Sequence, residues 1–179
     1  MSKAVLISIR PKWCEKIASG EKTIEVRKTR PKLSTPFKCY IYCTIDGIKK
    51  MPKDYIAESV ERGKVIGEFT CDAITRVNIC GFWDDDGRQL ENQIKETCLT
   101  PAEVNDYLGT KVGYGWHIVD LLIYDQPREL TEFRRSCPND LFCESCAMYS
   151  NNNGICNNGA LPLRRPPQSW CYVEAMEDA

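Results

Sequence analysis

The chain has 179 residues, of which 42% are apolar and 27% are charged. This balance excludes disorder of the whole chain and fits one compact domain of about 100 to 200 residues, so we expect residues 1–179 to form a single domain. No uncharged apolar stretch approaches the roughly 18 to 20 residues of a membrane span. The start of the sequence has no secretory signal, and we therefore expect a cytoplasmic protein whose cysteines are reduced.

The formal net charge of −1 hides an asymmetry along the chain. Residues 1–40 carry ten basic and three acidic side chains, a net charge of +7, and the remaining residues carry a net charge of −8. A positive field at one end of the sequence favours a polyanionic partner. A solvated lysine-rich face without a partner would give the same count.

Three elements are predicted in the first thirty residues. The β-branched run at 4–9 predicts a buried strand, and Pro11 with the apolar residues that follow predicts a short helix over 12–19. Gly20 then ends that helix. Residues 22–27 alternate between polar and apolar side chains, which predicts a half-buried strand.

The later elements are mostly strands. Thr100, Pro101 and Glu103 form a capping pattern that starts a helix ending near Leu108. Runs of Val, Ile, Tyr, Thr and Phe predict strands at 38–44, 65–79, 116–124 and 170–174.

Residues 136–167 differ from the rest of the chain because they are rich in cysteine, asparagine and proline and poor in aliphatic side chains. Such a segment cannot build a hydrophobic core, and a metal would replace it. The spacing C-x5-C-x2-C-x9-C is consistent with a closed structural zinc site, and an iron–sulfur cluster would use the same ligands. The predicted ligands are Cys137, Cys143, Cys146 and Cys156. The other seven cysteines are expected to be small buried hydrophobes.

The sequence contains one histidine, His117. It lies in an apolar predicted strand, on the face that Val119 and Leu121 share, so we interpret it as a packed core residue rather than a catalytic base. Glycine-rich phosphate loops, nucleophile elbows and histidine metal motifs are missing from the sequence. Any catalysis would therefore rest on Lys, Glu, Thr, Tyr or Cys.

Five stretches of the chain resemble a known family. They are ISIRPKWCEKIASGEKTIEVRKTRP, KVIGEFTC, the helix after LTPAEV, YGWHIVDLLIYDQPREL and PPQSWCYVE. Together they are similar to an ASCH domain of the PUA-like superfamily, over most of the chain outside the cysteine-rich segment. The resemblance implies an α+β fold, a small β-barrel flanked by short helices, and a cleft that binds RNA or modified nucleosides. Similar sequences are often encoded in prophages.

The resemblance also suggests an enzymatic alternative. Some small ASCH proteins remove the acetyl group of acetylcytidine with a Lys, a Thr and a Glu. The Lys corresponds to Lys22 and the Glu to Glu96, whereas Glu25 occupies the Thr position. Losing that hydroxyl weakens the hydrolase interpretation, because a carboxylate would have to replace a nucleophile or orienting group.

Three hypotheses follow for the function. The first is binding of RNA or a modified nucleoside in a basic cleft, with side chains that contact phosphates or stack on bases. The second is a hydrolase, either a nucleoside amidohydrolase or a ribonuclease, that uses Lys22 and Glu96. The third is a zinc-stapled module that binds a protein partner. A silent surface salt bridge from Lys22 to Glu25 or Glu21 is the alternative to all of them. The candidate nucleic-acid-binding residues are Arg10, Trp13, Lys22, Arg27, Lys28 and Arg30.

Overall fold

A computed structural model of the protein describes residues 3–45, 62–78, 80–84, 86–90, 93–135 and 161–176. These residues form an α+β structure of short helices and two sheets. No helix within these ranges is long and apolar enough to cross a membrane. The strands are β1 (Lys3–Ile9), β2 (Ile24–Arg27), β3 (Phe37–Cys43), β4 (Val65–Cys71), β5 (Ile74–Asn78), β6 (Gly81–Trp83), β7 (Gln89–Leu90), β8 (Gly113–His117), β9 (Val119–Arg128) and β10 (Trp170–Glu174). The α-helices are α1 (Pro11–Ala18), α2 (Gln93–Glu96) and α3 (Pro101–Leu108), and a 3-10 helix spans Leu130–Glu132.

The strands form two five-stranded sheets. The first has the order β10-β1-β3-β4-β9, and the second has the order β2-β8-β5-β6-β7. Only β1 and β3 pair in parallel among the described pairs. Within the described residues no pairing closes either sheet on itself or joins one sheet to the other. The expected small closed barrel is therefore not found, and two open sheets stand in its place.

Two of the predicted strands are broken where the chain passes between the sheets. The stretch predicted as one strand over 65–79 consists of β4 and β5, separated by two residues. The stretch predicted over 116–124 consists of the end of β8 and part of β9, separated by Ile118. Asp120, with a φ of 48°, bends the start of β9. By contrast, the strand predicted at 170–174 has the predicted limits.

The helix after Thr100 is confirmed together with its capping pattern. Thr100 Oγ1 accepts a hydrogen bond from the Glu103 backbone N–H at 3.2 Å. Glu103 Oε2 accepts one in return from the Thr100 backbone N–H at 2.8 Å. These two bonds satisfy donors that a helix start otherwise leaves unpaired. Gly109 follows the last turn of α3 with a φ of 60°.

The main core lies between the two sheets and includes Trp116, which is fully buried, as well as Cys14 and Ile17 of α1. A separate cluster packs α3 on the second sheet, with Val104 and Leu108 against side chains of β2, β5 and β6. The side chains of β2 alternate between the two faces of the second sheet, so only every second one can contact the α3 cluster. Ile24 and Val26 contact the α3 cluster, whereas Glu25 and Arg27 point to the opposite face. All four residues of β2 are buried.

Seven of the cysteines lie in the described residues, and all seven are free. Four are buried, as expected for small hydrophobic side chains, namely Cys14, Cys39, Cys43 and Cys71. Cys80 is exposed, and Cys98 and Cys171 are half-buried, so the expectation fails for these three. Residues 136–160 lie outside the described residues and contain all four predicted metal ligands, Cys137, Cys143, Cys146 and Cys156. The cysteine-rich insertion and its metal therefore stay predictions.

Candidate functional site

A cavity of about 510 Å³ lies between α1, β2 and α3. The end of β1, the residue after β3 and the two residues before β10 complete its wall. Cavities of about 300 to 1,000 Å³ accommodate small ligands and cofactors. This cavity is therefore large enough for one nucleoside or a molecule of similar size.

Three charged side chains, Lys22, Glu25 and Arg27, form a buried ion cluster in the cavity wall. Glu25 joins the two cations, because its Oε2 lies 3.2 Å from Lys22 Nζ and its Oε1 lies 3.1 Å from Arg27 Nη2. The side chain of Lys22 is 1% exposed, and those of Glu25 and Arg27 are each 9% exposed. At such burial each charge needs a partner, since water no longer solvates it.

Lys22 is held by two backbone carbonyls and one ion pair. Its ammonium group donates to the carbonyl oxygens of Ile24 at 2.8 Å and Thr97 at 2.6 Å, and it forms an ion pair with the Glu25 carboxylate. Two of the three ammonium hydrogens therefore have backbone acceptors. Lys22 therefore ties β2 to the connection between α2 and α3, and it holds Glu25 in place.

Arg27 connects the ion cluster to the first sheet. Its Nη2 donates to the Ser8 carbonyl oxygen of β1 at 2.6 Å and forms an ion pair with Glu25. Its Nε is buried and has no hydrogen-bond partner among the described residues. A buried donor without a partner costs about 1 to 3 kcal/mol.

The local sequence explains how Lys22 reaches this position. Gly20 adopts a φ of 77° after α1, which reverses the chain without strain because glycine has no Cβ. The Lys22 backbone N–H then donates to the Lys16 carbonyl oxygen at 2.9 Å, and the Thr23 N–H donates to the Glu96 carbonyl oxygen at 3.0 Å. These two bonds fix the turn between α1 and β2 and direct the Lys22 side chain inward.

The cavity is not basic, contrary to the prediction. Three cationic and three carboxylate side chains line it, so their formal charges cancel. The second and third carboxylates are those of Glu103 and Asp106 on α3. Hydrogen bonds from the backbone and side chain of Thr100 hold the pKa of Glu103 below its usual value. A polyanion inside the cavity would face these carboxylates.

Two aromatic rings form part of the wall. Trp13 of α1 and Tyr107 of α3 both line the cavity and are half-buried. The ammonium groups of Lys12 and Lys22 lie 4.3 Å and 5.3 Å from the centroid of the Trp13 ring. Lys28 Nζ lies 4.9 Å from the Tyr107 ring centroid. The rings provide flat apolar surfaces next to cations, an arrangement that suits a heteroaromatic ligand.

The six predicted nucleic-acid-binding residues divide into two groups. Arg10, Trp13, Lys22 and Arg27 line the cavity. Lys28 and Arg30 do not line it and are exposed on the surface beyond β2. Arg30 lies over the ring of Tyr114, with 5.6 Å between the guanidinium carbon and the ring centroid.

Glu96 is not brought together with Lys22. It is exposed, it does not line the cavity, and its Oε2 accepts a hydrogen bond from Thr23 Oγ1 at 3.5 Å. Only the backbone of the next residue, Thr97, reaches Lys22. The carboxylate beside the lysine is that of Glu25, which the sequence interpretation had treated as a departure from the family or as a surface partner. Its position three residues after Lys22 and two before Arg27 was the available signal.

His117 lies outside the cavity. It pairs with Ile24 in the ladder between β2 and β8, which places it on the α3 face of the sheet, and Nε2 lies 3.4 Å from Thr75 Oγ1. The predicted neighbours on β9 are wrong, because the chain leaves the second sheet directly after His117. Burial lowers the pKa of this histidine, and nearby Asp72 and Glu96 oppose that effect.

No metal centre accompanies the cavity in the described part of the chain. There, no group of three or more His, Cys, Asp or Glu side chains is arranged to hold a metal ion.

The fold is that of the ASCH domain. The chain is similar to the crystal structure of ASCH from Zymomonas mobilis, with 19% identity, 96% of this chain and 87% of that chain covered, and a TM-score of 0.55. A Tyr-to-Phe mutant of that protein matches with 18% identity, 97% and 91% coverage and a TM-score of 0.58. A Ser-to-Ala mutant matches with 18% identity, 96% and 88% coverage and a TM-score of 0.55. No protein-family model and no curated protein sequence matches the chain.

Proposed function

We propose that the protein binds RNA or a modified nucleoside and that the cavity receives one unstacked base. The observation that carries this proposal is a nucleoside-sized cavity with balanced charge and two aromatic walls. A nucleobase is uncharged and flat, so it suits a cavity lined by Trp13 and Tyr107 better than a phosphate does. The ASCH fold is consistent with the same class of ligand.

The ion cluster supplies the polar contacts of this proposed site. Each oxygen of the Glu25 carboxylate forms an ion pair with one cation, and a carboxylate has about four lone-pair sites. Sites not used in these pairs can accept N–H groups from the edge of a base. Because Lys22 donates to two backbone carbonyls and its charge is paired with Glu25, its role in this proposal is to position Glu25.

The backbone of the ligand would remain outside the cavity. Phosphates inside would meet Glu103 and Asp106, which repel them. Arg10 is exposed and lines the cavity, so it can contact a phosphate next to the bound base.

Hydrolysis by Lys22 and Glu96 has less support. A nucleoside amidohydrolase or ribonuclease of this kind would need both groups in one cavity, and Glu96 lies outside it. Glu25 could take the place of the carboxylate, but the Lys22 ammonium group already donates to two backbone carbonyls and its charge is paired with Glu25 itself. We therefore expect binding without turnover. Incubation with acylated nucleosides and with RNA checks this, and turnover that Lys22→Ala abolishes would restore the enzyme hypothesis.

Binding in the cavity is tested with Trp13→Ala. Stacking on an aromatic side chain contributes about 1 to 3 kcal/mol per base, so the affinity for nucleosides or short RNA should fall roughly 5- to 150-fold. Trp13→Phe, which keeps a ring, should retain most of the affinity. Trp83→Ala in β6 is the control, because Trp83 is also half-buried but does not line the cavity. Calorimetric titration measures the affinity, and chemical denaturation confirms that each variant folds.

The proposal fails if the folded wild-type protein binds neither nucleosides nor RNA at about 50 mM salt, where phosphate contacts are strong. It also fails if Trp13→Ala and Trp83→Ala have the same effect on affinity.

A separate proposal concerns the cysteine-rich segment. We propose that Cys137, Cys143, Cys146 and Cys156 hold a structural zinc ion, with an iron–sulfur cluster as the alternative. Elemental analysis of freshly purified protein distinguishes zinc, iron and no metal. A protein partner at this segment would be lost from pull-downs after deletion of residues 137–156, and a partner that remains bound would exclude that role.

A further inference from the structure

The chain continues from β2 into an exposed segment with three cations in five residues. Lys28, Arg30 and Lys32 form this basic strip, and all three are exposed. None of them lies within 4.0 Å of a carboxylate in the described part of the structure. The cations before and after the strip differ in this respect, since Lys12, Lys16, Lys22, Arg27 and Lys38 each form an ion pair.

Aromatic rings contact two of the three cations of the basic strip. Lys28 lies over the ring of Tyr107, and Arg30 lies over the ring of Tyr114. Such contacts contribute about 0.5 to 1 kcal/mol at exposed sites. Neither cation has an anionic partner among the described residues, so each can still bind an anionic ligand.

Two hydrogen bonds connect residues 28–32 to β10. Trp170 Nε1 donates to Thr29 Oγ1 at 3.0 Å, and the Lys32 backbone N–H donates to Tyr172 Oη at 2.7 Å. The backbone that carries the three cations is therefore fixed at two points. A preorganised surface loses less conformational freedom when it binds.

The basic strip begins at the cavity. Arg27 lines the cavity and directly precedes Lys28, and Tyr107 both lines the cavity and supports Lys28. Tyr114 pairs with Arg27 in the ladder between β2 and β8. A ligand that leaves the cavity on this side would pass directly onto the strip.

We propose that the basic strip binds the sugar–phosphate backbone of single-stranded RNA, several nucleotides long, next to the base in the cavity. This proposal rests on the proposed function. The base in the cavity must be unstacked, which costs least when the strand is not paired. Aromatic rings beside unpaired cations form the arrangement that proteins use to follow single strands.

A length series of labelled oligonucleotides tests this proposal. The ligands are one nucleoside, its monophosphate, single strands of about three, six and nine nucleotides, the matching duplex, and a poly-glutamate peptide. We expect the affinity to rise with length up to about six nucleotides and to be weaker for the duplex and the peptide. A DNA strand of the same sequence shows whether the 2′-hydroxyl contributes. Three neutralised phosphates predict a salt dependence with a slope of about −2 on logarithmic axes.

Single substitutions locate the contact. Lys28→Ala, Arg30→Ala and Lys32→Ala should each reduce that slope by about 0.7 and leave the affinity for the nucleoside unchanged. Arg88→Ala and Lys95→Ala remove exposed cations elsewhere, and they should leave the slope unchanged.

The outcomes separate the two proposals. If nucleosides bind but chain length and the strip variants have no effect, the basic strip is not an RNA surface while the cavity proposal stands. If oligonucleotides bind through the strip, nucleosides do not bind and Trp13→Ala has no effect on the oligonucleotides, the base does not enter the cavity, and only the contact between the strip and the phosphates stands. Tighter binding of the duplex or of the peptide overturns the assignment of the strip to single strands.

Discussion

The buried ion cluster and the basic strip are neighbours in sequence and opposites in environment. Residues 22–27 and residues 28–32 are both rich in basic side chains. In the cluster, Glu25 bridges Lys22 and Arg27, and all three are buried. In the strip, the cations are exposed and face no carboxylate in the described part of the chain.

The difference shows that charge counted along a sequence is not charge available to a partner. A buried cation must be neutralised where it lies, so its field is largely consumed inside the protein. An exposed unpaired cation keeps its field and attracts anions from solution. The net charge of +7 in the first forty residues therefore overstates the field at the cavity and is expressed mainly outside it.

The largest expected effect comes from Glu25→Gln. This change leaves Lys22 and Arg27 buried without their shared carboxylate. Breaking a buried pair by removing one partner costs about 3 to 5 kcal/mol. We expect a loss of that size in the free energy of unfolding, measured by urea denaturation, together with weaker binding in the cavity.

Glu21→Gln provides the matched control for that prediction. Glu21 also pairs with a lysine, with 2.7 Å between its Oε2 and Lys16 Nζ, but this pair lies at the surface. Exposed ion pairs contribute little, so the urea midpoint should hardly move. Equal losses from both substitutions would mean that the ion cluster has no special structural role.

The fold was predictable where local patterns determine it. The helix after Thr100 and the strand at 170–174 follow from a capping box and from side-chain preferences over a few residues. The breaks at Ile118 and between β4 and β5 were not predictable. They occur where the chain changes sheets, and that change depends on packing between strands distant in sequence.

The candidate site was also predictable only in part. Trp13, Lys22 and Arg27 were recognised from residue type and resemblance, and they do line the cavity. The assignment of Glu96 rests on aligning the run before the helix at Thr100 with the family. That run forms a helix of only four residues, whose facing side the sequence does not determine. The structural role of Glu25 could not be predicted in this way. Comparison with a family motif shows that the expected Thr is absent, but it does not show which groups the Glu in its place can contact.

A smaller effect is expected from Thr100→Ala, which removes the cap of the α3 wall. Loss of an N-cap side chain costs about 1 kcal/mol, within a range of about 0.5 to 2. Urea denaturation should therefore show a loss well below that of Glu25→Gln. A loss as large as that of Glu25→Gln would indicate that local capping, rather than the ion cluster, fixes the cavity.

His117 should make stability depend on pH without affecting the cavity. Because burial lowers its pKa in the folded state, the unfolded chain takes up a proton first as the pH falls below about 6.5. This contribution to stability is complete above that pH and decreases toward the lowered pKa of the folded state. His117→Gln should weaken the change in unfolding free energy between about pH 7 and pH 5.5. An unchanged pH profile would contradict this, since the chain has no other histidine.

The smallest effect on stability is expected from removing the basic strip. Lys28→Ala, Arg30→Ala and Lys32→Ala each change an exposed side chain, so each should alter the free energy of unfolding by no more than about 1 kcal/mol, the upper limit of an exposed cation–π contact. The same variants are expected to lose salt-dependent RNA binding, whereas Glu25→Gln loses stability first. A strip variant as unstable as Glu25→Gln would show that both groups of cations are structural. If instead binding decreases while the urea midpoint stays constant, the two neighbouring segments have separate roles, one in holding the site together and one in attracting its ligand.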